Sequence, residues 1–141
     1  MSKDIKKIIA QEYLKCAKDP AYFMKKYCYI QHPTRGRILF HLYPFQEKVL
    51  HLYKENQYII TLKSRQLGIS TLASAYSLWL MLFHKDKNVL ALATTQATAR
   101  NLVTKVIFMY DQLPKWLRLQ AVEKNKLSLR LKNGSDRKSV V

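Results

Sequence analysis

The chain has 141 residues, 48% of them apolar, which suits one domain with a real core or part of a larger one. Its 25 Lys and Arg against 9 Asp and Glu give a formal charge of +16, so a polyanion such as nucleic acid is the first partner to consider, unless an acidic part of the protein lies elsewhere. Two distant cysteines, Cys16 and Cys28, exclude a disulfide scaffold and a CxxC zinc site, the charged start MSKDIKKIIAQEY excludes a signal peptide, and the longest mostly apolar run, residues 71–83, is too short to span a bilayer. A soluble protein of a reducing compartment is expected.

Residues 4–18 place Ile5, Ile8, Ile9, Tyr13 and Leu14 on one helical face, with lysines on the others. Asp19 followed by Pro20 predicts the start of a second, short helix through YFMKKY. In YIQHPTRGRILFHLYP, a Pro-Thr-Arg-Gly turn between apolar stretches predicts a hairpin, and Pro44 opens a helix over residues 45–54. The pattern then becomes strand, loop, helix, strand, helix. Residues 58–62 (YIITL) and 89–93 (VLALA) read as parallel strands covered on both faces. Residues 70–83 read as a buried crossover helix, and residues 94–113 as an amphipathic helix ended by Pro114. KLSLRLKNGS reads as a strand entering a turn at Asn133-Gly134. The fold class is therefore α/β, a parallel sheet with flanking helices and right-handed crossovers, preceded by a helical and hairpin N-terminal segment.

Between the first parallel strand and its helix stands LKSRQLGIST, residues 62–71. A phosphate-binding loop needs inward backbone N–H groups, a helix N-terminus, a lysine for the β- and γ-phosphates and a hydroxyl for magnesium. Against GxxxxGK[ST], Gly68 and Ser70 match, while Lys63 takes the first glycine position and Ile69 the lysine position. A lysine at the front of the loop can reach the same charge from the other side. Lys63 is equally readable as a basic residue leaving a strand, and Ser70 as a helix-capping hydroxyl.

LKSRQLGISTL resembles the Walker A segment of phage terminase large subunits, the ATPases that pump DNA into procapsids, in a variant with the lysine at the front of the loop. The resemblance implies an incomplete P-loop NTPase of the RecA-like (ASCE) type. It makes Lys63 the phosphate lysine, Ser70 the Mg2+ hydroxyl and Arg65 the arginine acting on the γ-phosphate of ATP, with Ser64, Gln66, Gly68 and Thr71 completing the nucleotide-binding loop. Arginine charge on a transferring phosphoryl group is chemically sensible; a structural phosphate or carboxylate contact is the other reading of Arg65. LYPFQEKVL resembles the family's adenine-recognition segment, where Gln46 offers the donor and acceptor for adenine's N6 and N7 edge and Tyr43 or Phe45 packs on the ring. Outside the family, Gln46 would be a solvated helix residue. HPTRGRILFHL, ATTQATARNLVTKV and LPKWL also resemble terminase sequence, so the resemblance covers residues 27–134. Thr94, Thr95 and Gln96 would edge the site, unless Thr94 or Thr95 is a helix N-cap.

VIFMYDQ mimics a Walker B strand, but Gln112 stands for the needed glutamate, and Leu102, Val106, Met109 and Leu113 keep helical spacing. It is read as helix, and the chain lacks a catalytic carboxylate pair. His32, His41, His51 and His84 share no metal-ligand spacing and are read as surface or hairpin residues; Trp79 is read as core.

The expected organisation is an N-terminal segment over residues 1–43, the start of a P-loop ATPase domain over 44–135, and a tail over 136–141. The tail, DRKSVV, departs from the family and back-translates in one frame onto a common sequencing adapter, so it is expected to be non-native. The intact protein would be an ATPase and nuclease of the host cytoplasm during virion assembly, working as a homo-oligomeric motor on double-stranded viral DNA with a portal protein and a small terminase subunit, and without a membrane. The chain itself would be an N-terminal fragment that scarcely turns ATP over. Two other readings stand beside this one: a fragment of a two-domain helicase-like ATPase, and a non-catalytic basic nucleic-acid-binding module whose DNA binding is governed by salt.

Overall fold

The computed structural model describes residues 3–140; Met1, Ser2 and Val141, the last residue of the expected tail, lie outside it. Local capping chemistry starts the helices where the sequence signals them. After α1 (Lys3–Lys18), Asp19 Oδ1 accepts from the Ala21 amide at 2.9 Å and Pro20 takes the first position of α2 (Pro20–Tyr27). Strands β1 (Tyr29–His32) and β2 (Gly36–Leu39) form the predicted antiparallel hairpin, with Ile30 opposite Ile38. Pro44 opens α3 (Pro44–Glu55). Glu12 ties α1 to α2 by accepting from Tyr22 Oη, Lys26 Nζ and Tyr27 Oη at 2.6, 2.5 and 2.8 Å. An ion pair between Lys25 and Glu47 joins α2 to α3. Most of the apolar face assigned to α1 is exposed, because only its C-terminal half, around the buried Cys16, reaches the core.

The core is built around α4 (Ile69–Phe83), which carries no charged residue and buries Leu72, Ala75, Leu78 and Met81 completely. Such an all-round apolar helix is stable only when covered on most sides, and α2, α3 and α5 (Gln96–Asp111) supply that cover. Trp79 is a core residue, as expected: its ring packs against Tyr76 and Phe83, and its Nε1 donates to the Cys16 carbonyl at 2.8 Å. Cys16 and Cys28 are free and buried, and burial raises both thiols above their ordinary range. The segment that mimics a Walker B strand lies in α5, as read from its spacing.

The sheet departs from the expectation in three ways. It is mixed, in the order β3-β6-β5-β4, where β3 is Asn88–Leu92, β4 Ala121–Lys124, β5 Ser128–Leu131 and β6 Asp136–Val140; the pair β3–β6 is parallel and the other two are antiparallel. Helix α5 packs on one face, while Leu90 and Leu92 of β3 stay exposed on the other, so β3 is not covered on both faces. Residues 58–62, expected as the first parallel strand, are not a strand. They run without a ladder partner among the described residues, and Ile60 and Leu62 are 100% exposed. β-propensity fits a chain to a sheet, but a ladder forms only where a neighbouring strand pairs its N–H and C=O groups.

Strand β6 is the segment set apart as a tail. It occupies an inner position of the sheet, between β3 and β5, reached through a turn in which Gly134 has φ +84°. Arg137 of this strand is 3% exposed, and its Nε and Nη1 have no hydrogen-bond partner among the described residues. A guanidinium is an odd occupant for a place between Val89 and Leu129.

Candidate functional site

The loop that ends in α4 is shaped by two residues in the left-handed region, Gln66 at φ 61° and Gly68 at φ 70°. Gly68 is the N-cap of α4, and having no side chain it leaves the first-turn amides uncapped. Leu72 N bonds the Gly68 carbonyl at 2.9 Å, so the amides of Ile69, Ser70 and Thr71 precede the first intrahelical bond. An uncapped helix N-terminus presents oriented N–H groups and the positive end of the helix dipole, which favours an anion. Ser70 does not cap the helix, so the capping explanation of its hydroxyl falls away.

The loop is pinned from the side by Gln46. Its Oε1 accepts from the Tyr43 amide at 3.0 Å, closing the start of α3, and its Nε2 donates to the Leu67 carbonyl at 3.0 Å. At 2% exposure Gln46 is no solvated helix residue. The contact also fixes Gly68: a Cβ there would lie 2.7 Å from Gln46 Nε2. Tyr43 and Phe45, flanking Pro44, stack at 5.7 Å with their planes 7° apart and remain accessible.

These groups border a cleft of about 540 Å³, in which Gln46, Gln66, Gly68 and Thr71 meet Tyr43 and Phe45, with the β1–β2 hairpin as the opposite wall. The structure therefore brings four of the predicted nucleotide-binding residues together. Lys63, Ser64, Arg65 and Ser70 are exposed and stand outside the cleft lining. Lys63 Nζ donates to the neighbouring Ser64 carbonyl at 3.2 Å, and Arg65 forms no hydrogen bond or ion pair among the described residues. Thr95 caps α5, its Oγ1 accepting from the Thr98 amide at 3.2 Å, and neither it, Thr94 nor Gln96 edges the cleft.

Sequence reasoning missed the wall. Arg35, His32 and His41 line the cleft because the hairpin folds over it, held by Arg37 Nη1 on Gln112 Oε1 at 2.6 Å. Only the closeness in sequence of this hairpin to Gln46 pointed that way. A second, shallower basin of about 590 Å³ beside the far end of the sheet contains Arg100, Lys126 and Lys138 and none of the predicted residues. Its Glu123 is already bonded to Ser128 and Asn125. Among the described residues no group of His, Cys, Asp or Glu forms a metal cluster, and no helix is long and apolar enough to cross a membrane.

No family model matches the chain. Its fold is similar to that in the crystal structure of the HK97 bacteriophage large terminase, with a TM-score of 0.68 over 88% of this chain at 17% sequence identity. The chain spans 27% of that protein's length. At this identity the likeness is one of fold.

Proposed function

We propose that the chain is the nucleotide-binding part of a terminase-like packaging ATPase, with the intact protein driving double-stranded viral DNA into a procapsid. The observation that carries this reading is the join of an uncapped α4 N-terminus at Gly68 to a cleft walled by Gln46, Tyr43 and Phe45. That arrangement suits a molecule with an anionic end and a flat polar ring, and ATP has both. The first-turn amides and the dipole of α4 would receive phosphate. Gln46 has used one lone pair and one amide hydrogen on the protein; the remaining lone pair and hydrogen supply the acceptor and donor that adenine's N6 and N7 edge needs. The accessible rings of Tyr43 and Phe45 offer stacking area.

Lys63 would leave the Ser64 carbonyl for a phosphate oxygen, a small loss for an exposed hydrogen bond. Arg65, exposed and without a bonded partner among the described residues, would add positive charge near the γ-phosphate, and Ser70 would hold Mg2+ together with the phosphates. Ser64, Gln66 and Thr71 would contribute loop and first-turn contacts. Mg2+ supplies neutralisation of phosphate charge when bound. The formal charge of +16 favours a DNA partner. A portal protein, a small terminase subunit, homo-oligomeric assembly, nuclease activity and the host cytoplasm belong to the same proposal for the intact protein.

The test is titration of the 141-residue chain with a fluorescent ATP analogue and Mg2+ at fixed ionic strength. Saturable binding is expected, displaced by ATP better than by GTP and weakened at least about tenfold in the Lys63→Ala/Ser70→Ala double variant, the loss of one charge-assisted contact or more. Absence of saturable binding, or affinity unchanged in the double variant, would favour a basic nucleic-acid-binding module instead.

A further inference from the structure

The loop lacks a lysine at the position of Ile69, and Lys63 lies on an exposed segment with no ladder partner among the described residues. A second ammonium group reaches the first turn of α4 from a neighbouring helix. Lys105, on α5, has its Nζ 3.5 Å from Thr71 Oγ1 in the first turn of α4. One turn away, Ser74 Oγ lies 3.5 Å from the Leu102 carbonyl. The two contacts step three residues forward on α4 and three back on α5, as expected of two helices lying side by side. The buried residues Val103, Val106 and Met109 hold that face of α5 in the core, while Lys105 itself is exposed.

Lys105 lines a cleft of about 380 Å³ between the hairpin and α5, together with Thr104 and Phe108. This cleft shares Ile30, His32 and Thr71 with the cleft at the loop, so the two adjoin at Thr71, whose hydroxyl Lys105 touches. Among the described residues no carboxylate lies within ion-pair distance of Lys105, and its one polar contact is Thr71. A cation fixed beside a hydroxyl, at the mouth of a cleft and without a counter-ion, is arranged to receive an anion from solvent.

Resting on the nucleotide-binding reading above, we infer that Lys105 is a phosphate-contacting residue of the site, supplying from α5 a cation that position 69 does not provide. Its ammonium donates to a phosphate oxygen of the nucleotide lying over the first turn of α4, alongside the Thr71 hydroxyl. No bond is made or broken; the contribution is charge and hydrogen bonding, with the site assembled from two helices rather than one loop.

The experiment measures binding of the fluorescent ATP analogue to the wild-type chain and to Lys105→Ala, Lys105→Arg and Lys115→Ala, with adenosine as a phosphate-free competitor and thermal melting as a check on the fold. Lys105→Ala is expected to weaken binding by about ten- to a hundredfold, as for loss of a charged hydrogen-bond donor. Lys105→Arg should keep most of the affinity, adenosine competition should be unaltered, and Lys115→Ala, an exposed lysine away from both clefts, should bind like wild type. Wild-type affinity in Lys105→Ala overturns the assignment while leaving ATP binding in place. Equal losses in Lys115→Ala overturn it in favour of general charge attraction, and equal losses for adenosine, or a fall in melting temperature matching the loss of affinity, overturn it in favour of a structural role. If the wild-type chain binds no ATP analogue, the nucleotide-binding reading itself falls, and the Lys105 assignment with it.

Discussion

Replacing Arg137 by Leu should stabilise the protein. Arg137 sits on an inner strand of the sheet, 3% exposed, opposite Val89 of β3 and Leu129 of β5, with Nε and Nη1 unpartnered. Burial, with no counter-ion among the described residues, pulls its guanidinium well below the ordinary arginine range, to about 10. That drop corresponds to a penalty of about 3 kcal/mol on the charged form in the folded state. Leucine removes the penalty and keeps apolar contact with its neighbours, so a gain of about 2 kcal/mol is expected, or a rise of about 5 °C in melting temperature for a domain of this size. The pH dependence follows from the sign of the shift. The group is depressed, so the penalty is fully present below about pH 10 and is relieved as pH rises above it, where the folded chain has lost the proton and the unfolded chain still holds it. The stability difference between Arg137→Leu and wild type, read from urea midpoints, should therefore be constant from neutral pH to about 9 and narrow above about 10. A variant less stable than wild type at neutral pH would mean that Arg137 has an anionic partner and that the burial argument is wrong.

Gly68→Ala should lose about 2 kcal/mol, since a left-handed backbone strains an alanine and its Cβ would press on Gln46 Nε2; a urea midpoint equal to wild type would show that the loop relaxes freely. Gln46→Leu leaves the Tyr43 amide and the Leu67 carbonyl without partners, a loss of about 2 kcal/mol; amide exchange should quicken at both α3 and the loop, and quickening at only one would show that Gln46 does not join them. Glu12 is held down to about 2, first by the hydrogen bond from Lys26 and then by those from Tyr22 and Tyr27, so it contributes stability above its ordinary 4.5 that is lost as pH falls toward 2. Glu12→Gln should cost about 1 kcal/mol at neutral pH and flatten the acid limb of the stability curve, and an unchanged acid limb would remove Glu12 from that role.

The helices were legible because their signals are local. Asp19-Pro20, Pro44 and Thr95 cap or open them, and the apolar run of residues 69–83 has no charged side chain to interrupt burial. Strands were harder, since a strand is completed by a neighbour that local sequence does not reveal. Residues 58–62 have strand composition and no ladder, whereas DRKSV has poor strand composition and an inner place in the sheet. In β4, AVEK is too short to stand out from a charged loop. At the site, the glycine and glutamine were visible as residue types, but three things were not. Gln66 adopts a positive φ, which side-chain chemistry does not announce; the hairpin folds over the cleft; and Lys105 arrives from a helix 34 residues beyond Thr71.

The departure at Ile69 has a physical explanation in the packing. Ile69 is 9% exposed and belongs to the same apolar cluster as Leu72 and Ala75. A lysine there would either bury its ammonium among apolar side chains or pull the first turn of α4 away from the core, and a buried, unpaired charge costs several kcal/mol. Residues 58–62 have no ladder partner among the described residues, and Ile69 on the core side and Gln46 on the cleft side both hold the loop. Anchoring with an apolar residue and binding phosphate with a lysine are then competing uses of one position. The chain uses position 69 for the anchor, so in the proposed nucleotide site positive charge comes from other positions, from Lys63 and Arg65 in the loop and from Lys105 on α5.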